Sequence, residues 1–169
     1  ETKIDKMKRV LTLTAIALTL VFSTNASAQE FSGLDKSPMD MASYPTSYRV
    51  SDKAVRITYS RPQLKGRSLA DLCPAGKVWR TGANEAAEIT FYKDVTFGGE
   101  DIKAGTYALF TMPGAKEWTV ILNKNLNQWG AYTYDEGADV ARVTVPAAMD
   151  GESLEAFSIA FKEVSDGVH

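Results

Sequence analysis

Of 169 residues, one is cysteine and one is histidine, and these two scarcities remove whole classes of chemistry. A lone Cys73 allows no intramolecular disulfide, and nothing matches the paired spacings of a zinc site. Within LADLCPAG it reads as a small buried apolar residue, since a reactive thiol would need a basic partner. His169 is the final residue, a poor place for an oriented general base, so Ser-His-Asp and Cys-His mechanisms are set aside together with imidazole-based metal centres. Neither a metal nor a cofactor is expected.

An apolar run long enough to cross a bilayer is missing as well. Val10 to Phe22 holds 13 apolar or weakly polar residues, whereas a spanning helix needs roughly 20. With Lys8 and Arg9 before it and Ala26-Ser27-Ala28 after it, the run has the anatomy of a secretory signal peptide over residues 1–28. Cleavage after Ala28 would leave Gln29 first and no membrane span. The absence of a cysteine after the run argues against a lipid anchor, so a periplasmic or secreted protein is expected. The leader carries four of the basic and two of the acidic residues, so its removal would shift the net charge from -2 to -4 over 141 residues. A basic excess is lacking, and nucleic acid is not an expected partner.

Helical periodicity is scarce. Residues 29–47 lack any sustained period and read as a flexible lead-in, and residues 48–169 as a single β-rich domain. Val55, Ile57 and Tyr59 alternate with Arg56 and Thr58 as in a half-buried strand, which Pro62 ends. Ser68 to Leu72 could make one capped helical turn, with Asp71 at its third position. Glu88 to Tyr92, a Val95 to Phe97 hairpin through Gly98-Gly99, Gly105 to Met112, Trp118 to Leu122, Asp139 to Val145 and Leu154 to Phe161 all read as strands. Gly105 to Met112 is apolar on both faces and so central. The expected fold is all-β: an antiparallel sandwich or barrel-like domain of about seven short strands with little helix. Asp166-Gly167 reads as a hairpin turn and Val168-His169 as the start of a strand, so a domain missing its last strand is expected.

One stretch obeys neither period. In VWRTGANE, Val78 to Glu85, and in YSRPQLKGR, Tyr59 to Arg67, arginines crowd with Trp, Asn, Glu and Gly. If the two lie side by side, Arg61, Lys65, Arg67 and Arg80 would surround Trp79, Asn84 and Glu85. Guanidinium forks suit carboxylate, sulfate or phosphate, and an aromatic face suits a sugar ring. The long loop Asn123 to Gly137 adds Trp129, Tyr132 and Tyr134, and loops of that length often carry function. The competing reading makes the same residues internal brackets, with Arg80 held against Glu85 or Glu88 and Trp79 filling core.

YSRPQLKGR, VWRTGANEAAEITF (78–91), AGTYALFTMP (104–113) and WTVILN (118–123) together resemble an uncharacterised family of exported bacterial proteins, domain of unknown function 2911, over roughly Tyr59 to Val145. The resemblance implies a small exported β-rich domain and no assigned chemistry. The chain departs from that family's pattern at SLADLC (68–73), where an aromatic-glycine pair is usual, and at Ala75, where tyrosine is common. The family's pattern also continues with one more strand carrying a Trp. A non-catalytic module binding a glycan or an organic anion is the leading expectation. The alternatives are a carboxylate-based glycan hydrolase using two of Asp71, Glu85 and Glu88, and an envelope assembly protein joined through an open sheet edge. Oligomeric state is left open.

Overall fold

The computed structural model describes residues 2–4 and 30–169. The predicted leader therefore lies, apart from residues 2–4, outside the described residues. Among those described, no helix is long and apolar enough to cross a membrane. The chain divides into two units, residues 1–34 and Asp35–His169. In the first, residues 30–34 are exposed and carry no regular element. Every strand among the described residues belongs to the second.

Among the described residues ten strands form, in chain order β1 (Met39–Tyr44), β2 (Val55–Ser60), β3 (Ala87–Phe91), β4 (Val95–Phe97), β5 (Glu100–Ile102), β6 (Gly105–Met112), β7 (Glu117–Asn123), β8 (Asp139–Pro146), β9 (Glu163–Val164) and β10 (Gly167–Val168). Six of them make one antiparallel sheet in the order β1-β2-β3-β6-β7-β8, and β4-β5 and β9-β10 are separate hairpins. The domain is all-β and antiparallel, a sandwich-like arrangement without a closed barrel. Its strands are more numerous than the seven expected, because β1, the return arm β5 and the β9-β10 hairpin add to those read, while residues 154–161 form none.

Alternation built the central strands as read. Val55, Ile57 and Tyr59 of β2 share one face with Ala87, Ile89 and Phe91 of β3, Leu109 of β6, Leu122 of β7 and Ala141 of β8, and all are buried. Phe97 and Ile102 of the β4-β5 hairpin and Phe157, Ile159 and Phe161 pack on that face. β6 lies between β3 and β7, with Ala108 and Phe110 on the opposite face beside Ile121. There the covering groups are Val78, Ala131 and Tyr134, all from loops. Phe110, Ile121 and Leu122 are wholly buried, and truncating such a phenylalanine costs about 3 to 5 kcal/mol.

Two expectations fail here. Residues 39–44, inside the expected flexible lead-in, form edge strand β1 paired along its whole length with β2. Its period was weak because Met39 and Met41 face solvent while the other face is only Ala42 and Tyr44. Leu154 to Phe161, expected to be a strand, makes no ladder. It touches β2's exit through one bridge, Gln63 to Ala156, and its alternation records burial of one side rather than strand pairing. The helical turn α1 (Leu69–Leu72) has the expected capping box: the Ser68 hydroxyl accepts from the Asp71 amide, and the Asp71 carboxylate accepts from the Ser68 amide.

Candidate functional site

The RTGAN segment is an excursion from a nearly continuous strand. Trp79 exchanges two backbone hydrogen bonds with Thr111 of β6, at 2.7 and 3.0 Å, and β3 takes over pairing with β6 from Ala87. Between them residues 81–86 loop away, closed at the neck by the Ala87 amide donating to the Arg80 carbonyl at 3.0 Å. Thr81 and Asn84 have φ of 54° and 60°, a left-handed region that a β-branched threonine rarely enters. Gly82 is required by close approach: a Cβ there would stand 2.8 Å from the Ser60 carbonyl oxygen. Thr81 is buried, and its hydroxyl meets that of Thr111 at 3.2 Å.

The long loop after β7 is zipped onto this excursion. The Ala86 amide donates to the Gln128 carbonyl, the Gly130 amide donates to the Asn84 carbonyl, and Glu85 bridges to Trp129. Thus Arg80, Asn84, Glu85 and Trp129 come together, as the sequence cluster suggested for the first three. Arg80 Nη1 donates to the Asn84 carbonyl at 3.2 Å. Among the described residues it forms no ion pair, so neither Glu85 nor Glu88 neutralises it. Gly130 brings a further group to the same spot, because a Cβ there would lie 2.7 Å from the Tyr132 ring and 3.2 Å from Arg80 Nη1. Trp129 is 62% exposed and Tyr132 81%. A half-buried cation without a counterion therefore sits beside two open aromatic rings.

The other predicted residues do not join them. Arg61 is a bracket: its Nε donates to the Phe157 carbonyl at 2.9 Å, Nη2 to the Ser158 hydroxyl at 2.6 Å, and Nη1 pairs with Asp40 at 3.0 Å. Arg67 donates to the carbonyls of Gln63 and Leu64 in its own turn. Lys65 is exposed with φ 49°, its backbone amide held by the Glu155 carboxylate. The expected ring of four cations is thus absent, because Arg61 is held by Phe157, Ser158 and Asp40 and Arg67 by the carbonyls of its own turn. Trp79 is corrected to a core residue: 7% exposed, it packs edge-on against Trp118 and Phe157 with ring centres at 6.4 and 5.0 Å.

Tyr132 was visible in the sequence only as one aromatic of the loop. Tyr134, two residues on, has the opposite fate. Its hydroxyl donates to Asp139 at 2.6 Å and accepts from Arg142 at 2.9 Å; burial first, then the Asp139 carboxylate, push its ionisation well above the usual phenolic range. It anchors the loop. Asn84 Nδ2 reaches Asp35, whose carboxyl is held below its usual range by the Ser37 amide first and Asn84 second. Burial raises the Cys73 thiol, away from a reactive thiolate.

Of the carboxylates considered for hydrolysis, Asp71 is engaged by the helix cap, where the Ser68 hydroxyl and amide lower its ionisation. Glu85 and Glu88 line a hollow of about 50 Å³, far short of the roughly 300 Å³ at which ligand pockets begin. No group of three or more His, Cys, Asp or Glu is placed to hold a metal among the described residues. A larger open hollow of about 310 Å³ lies at the β4-β5 hairpin, lined by Asp94, Asp101 and Lys103; none of the predicted site residues reaches it.

Residues 37–169 match the family described as a protein of unknown function, DUF2911. No curated protein and no solved structure matches the chain.

Proposed function

The chain belongs to the DUF2911 family of proteins of unknown function, and we propose that within it this domain is a non-catalytic binding module, exported to the periplasm or beyond, that takes an anionic or polyhydroxylated small ligand. The observation that supports this is the Arg80 guanidinium, without a carboxylate partner among the described residues, beside the exposed rings of Trp129 and Tyr132. Guanidinium binds carboxylate or sulfate in a fork, and an open indole stacks on a sugar face. A glycan carrying acidic groups satisfies both. The double loop that carries these groups is fixed by two backbone hydrogen bonds between its halves, Ala86 to Gln128 and Gly130 to Asn84, and by the Ala87 to Arg80 bond at its neck, so little ordering entropy opposes binding.

Titration calorimetry with uronic-acid oligosaccharides, neutral oligosaccharides and dicarboxylates tests the reading. Binding of at least one class by the parent protein, lost in Trp129→Ala, is the expected result. Silence across all three classes would remove the module reading. A hydrolase based on Glu85 and Glu88 is the weaker alternative, since the hollow beside them is too small for a sugar ring.

A further inference from the structure

The small hollow beside Glu85 has a chemistry of its own. It is lined by Met39, Thr58, Ser60, Glu85, Glu88 and Asn127, among others, and lies where β3 gives way to the 81–86 excursion. Ser60 pairs across with Met39 of β1. Since Tyr59 points into the core, its neighbours Thr58 and Ser60 point to the opposite face, as does Glu88, which pairs with Thr58. Ser60 is 5% exposed, yet its hydroxyl makes no hydrogen bond to any described residue. Its oxygen keeps some access to solvent, since the one fully buried polar side-chain atom without a partner among the described residues is Arg56 Nε, so the hydroxyl opens into the hollow as a free acceptor. The Thr58 hydroxyl and the Glu85 carboxylate likewise have none, and Glu88 uses one oxygen to accept from the Asn127 amide at 2.9 Å.

We propose that this hollow receives a primary alkylammonium group, such as the end of a lysine side chain or of an amino-substituted ligand. An ammonium is a three-fold donor with no acceptor, and Glu85, Glu88 and Ser60 supply three acceptors and no cation. The volume of about 50 Å³ exceeds one water's share of roughly 30 Å³, enough for the charged head alone. Met39, largely exposed at the rim, offers a flexible apolar wall for the methylene stem. A hard dication would ask for six to eight oxygens, more than two carboxylates and two hydroxyls provide. This subsite holds independently of the acidic-glycan reading, whose groups lie with Arg80.

The test is amide NMR of the whole protein titrated with n-butylammonium chloride, with tetramethylammonium chloride and calcium chloride as comparisons at equal ionic strength. Saturable shifts at Ser60, Ala86 and Asn127 with butylammonium alone are expected. Glu85→Gln, which removes an exposed carboxylate without a side-chain partner and so leaves the fold intact, should weaken binding by about tenfold, and Ser60→Ala should weaken it as well. Equal shifts with tetramethylammonium, which has no N–H, would overturn the proposal. So would a response to calcium alone, or no saturable shift at all.

Discussion

Arg80→Ala separates a ligand group from a bracket, and its expected cost can be worked from contacts. The guanidinium makes one hydrogen bond, a long one of 3.2 Å, to a carbonyl that the Gly130 amide already serves at 3.0 Å. Removing it leaves no orphaned acceptor, so the loss stays near the low end for a hydrogen bond, about 0.5 to 1 kcal/mol including the stem's packing. Arg61→Ala is the internal standard. It loses three bonds that tie β2's exit to Asp40, Phe157 and Ser158, and should cost about 2 to 3 kcal/mol. In binding the order reverses. Loss of a charge-assisted pair from Arg80 should weaken acidic-ligand affinity about 10- to 100-fold, while Arg61→Ala leaves it unchanged. Urea unfolding at pH 7 and titration calorimetry read the two scales. If Arg80→Ala destabilised as much as Arg61→Ala, or bound acidic ligands as well as the parent, the assignment of Arg80 would be wrong.

Other outcomes follow from single features. Gly82→Ala places a Cβ 2.8 Å from the Ser60 carbonyl oxygen and should cost about 1 to 3 kcal/mol in urea unfolding, with no gain from reduced chain freedom. Ser68→Ala should cost about 0.5 to 1 kcal/mol; because Asp71 is held below its ordinary range by Ser68, the difference from the parent is present at neutral pH and shrinks as the solution is acidified through the carboxylate range. Tyr134 is held above its usual value by burial and by Asp139, so its contribution is complete below about pH 10 and lost as pH rises beyond; unfolding followed from pH 9 to 12 should show a shallower decline in Tyr134→Phe. Fractionation of an expressing cell, with N-terminal sequencing of the exported chain, should find Gln29 first; a chain retained in the cytoplasm with its leader would contradict export.

Where side chains alternate strongly, as in β2, β6 and β7, the sheet could be read directly, because one buried face forces a period of two. β1 escaped for the complementary reason. As an edge strand it owes its place to backbone bonds with β2, and Met39 and Met41 on its open face resemble loop residues as much as strand residues. Phe157, Ile159 and Phe161 misled in the other direction, since a segment laid across a core alternates in burial whether or not it joins a ladder. At the site, composition marked Arg80, Asn84 and Glu85 as neighbours, and the structure lays the long aromatic loop against them. It could not tell Arg80 from Arg61 or Arg67. A guanidinium's fate depends on which acceptors come within reach of a long flexible side chain, and those of Arg61 at Phe157 and Ser158 are 96 and 97 positions away. Nor could it separate Tyr132 from Tyr134, whose opposite exposures turn on a single register with Asp139 and Arg142.

The 81–86 excursion bears on the proposed binding role. Val78–Arg80 and β3 both run beside β6, so a shorter chain could have joined them as one strand. Instead six residues leave the sheet, two of them non-glycine residues in left-handed conformation, at a cost of about 1 to 3 kcal/mol each. Thr81, Gly82, Ala83 and Ala86 are buried, which offsets part of this, whereas Asn84 is only half-buried and Glu85 is exposed. What the detour achieves is position: it brings Asn84 and Glu85 against the second loop, fixes the Gly130 turn through the Asn84 carbonyl, and holds Trp129 outward with its backbone bridged to Glu85. A device that only stabilised the sheet would bury Trp129. On the proposed binding reading, one that displays a rigid ring and an uncompensated cation leaves them where they are, and the strain is the cost of holding that display in advance of a ligand.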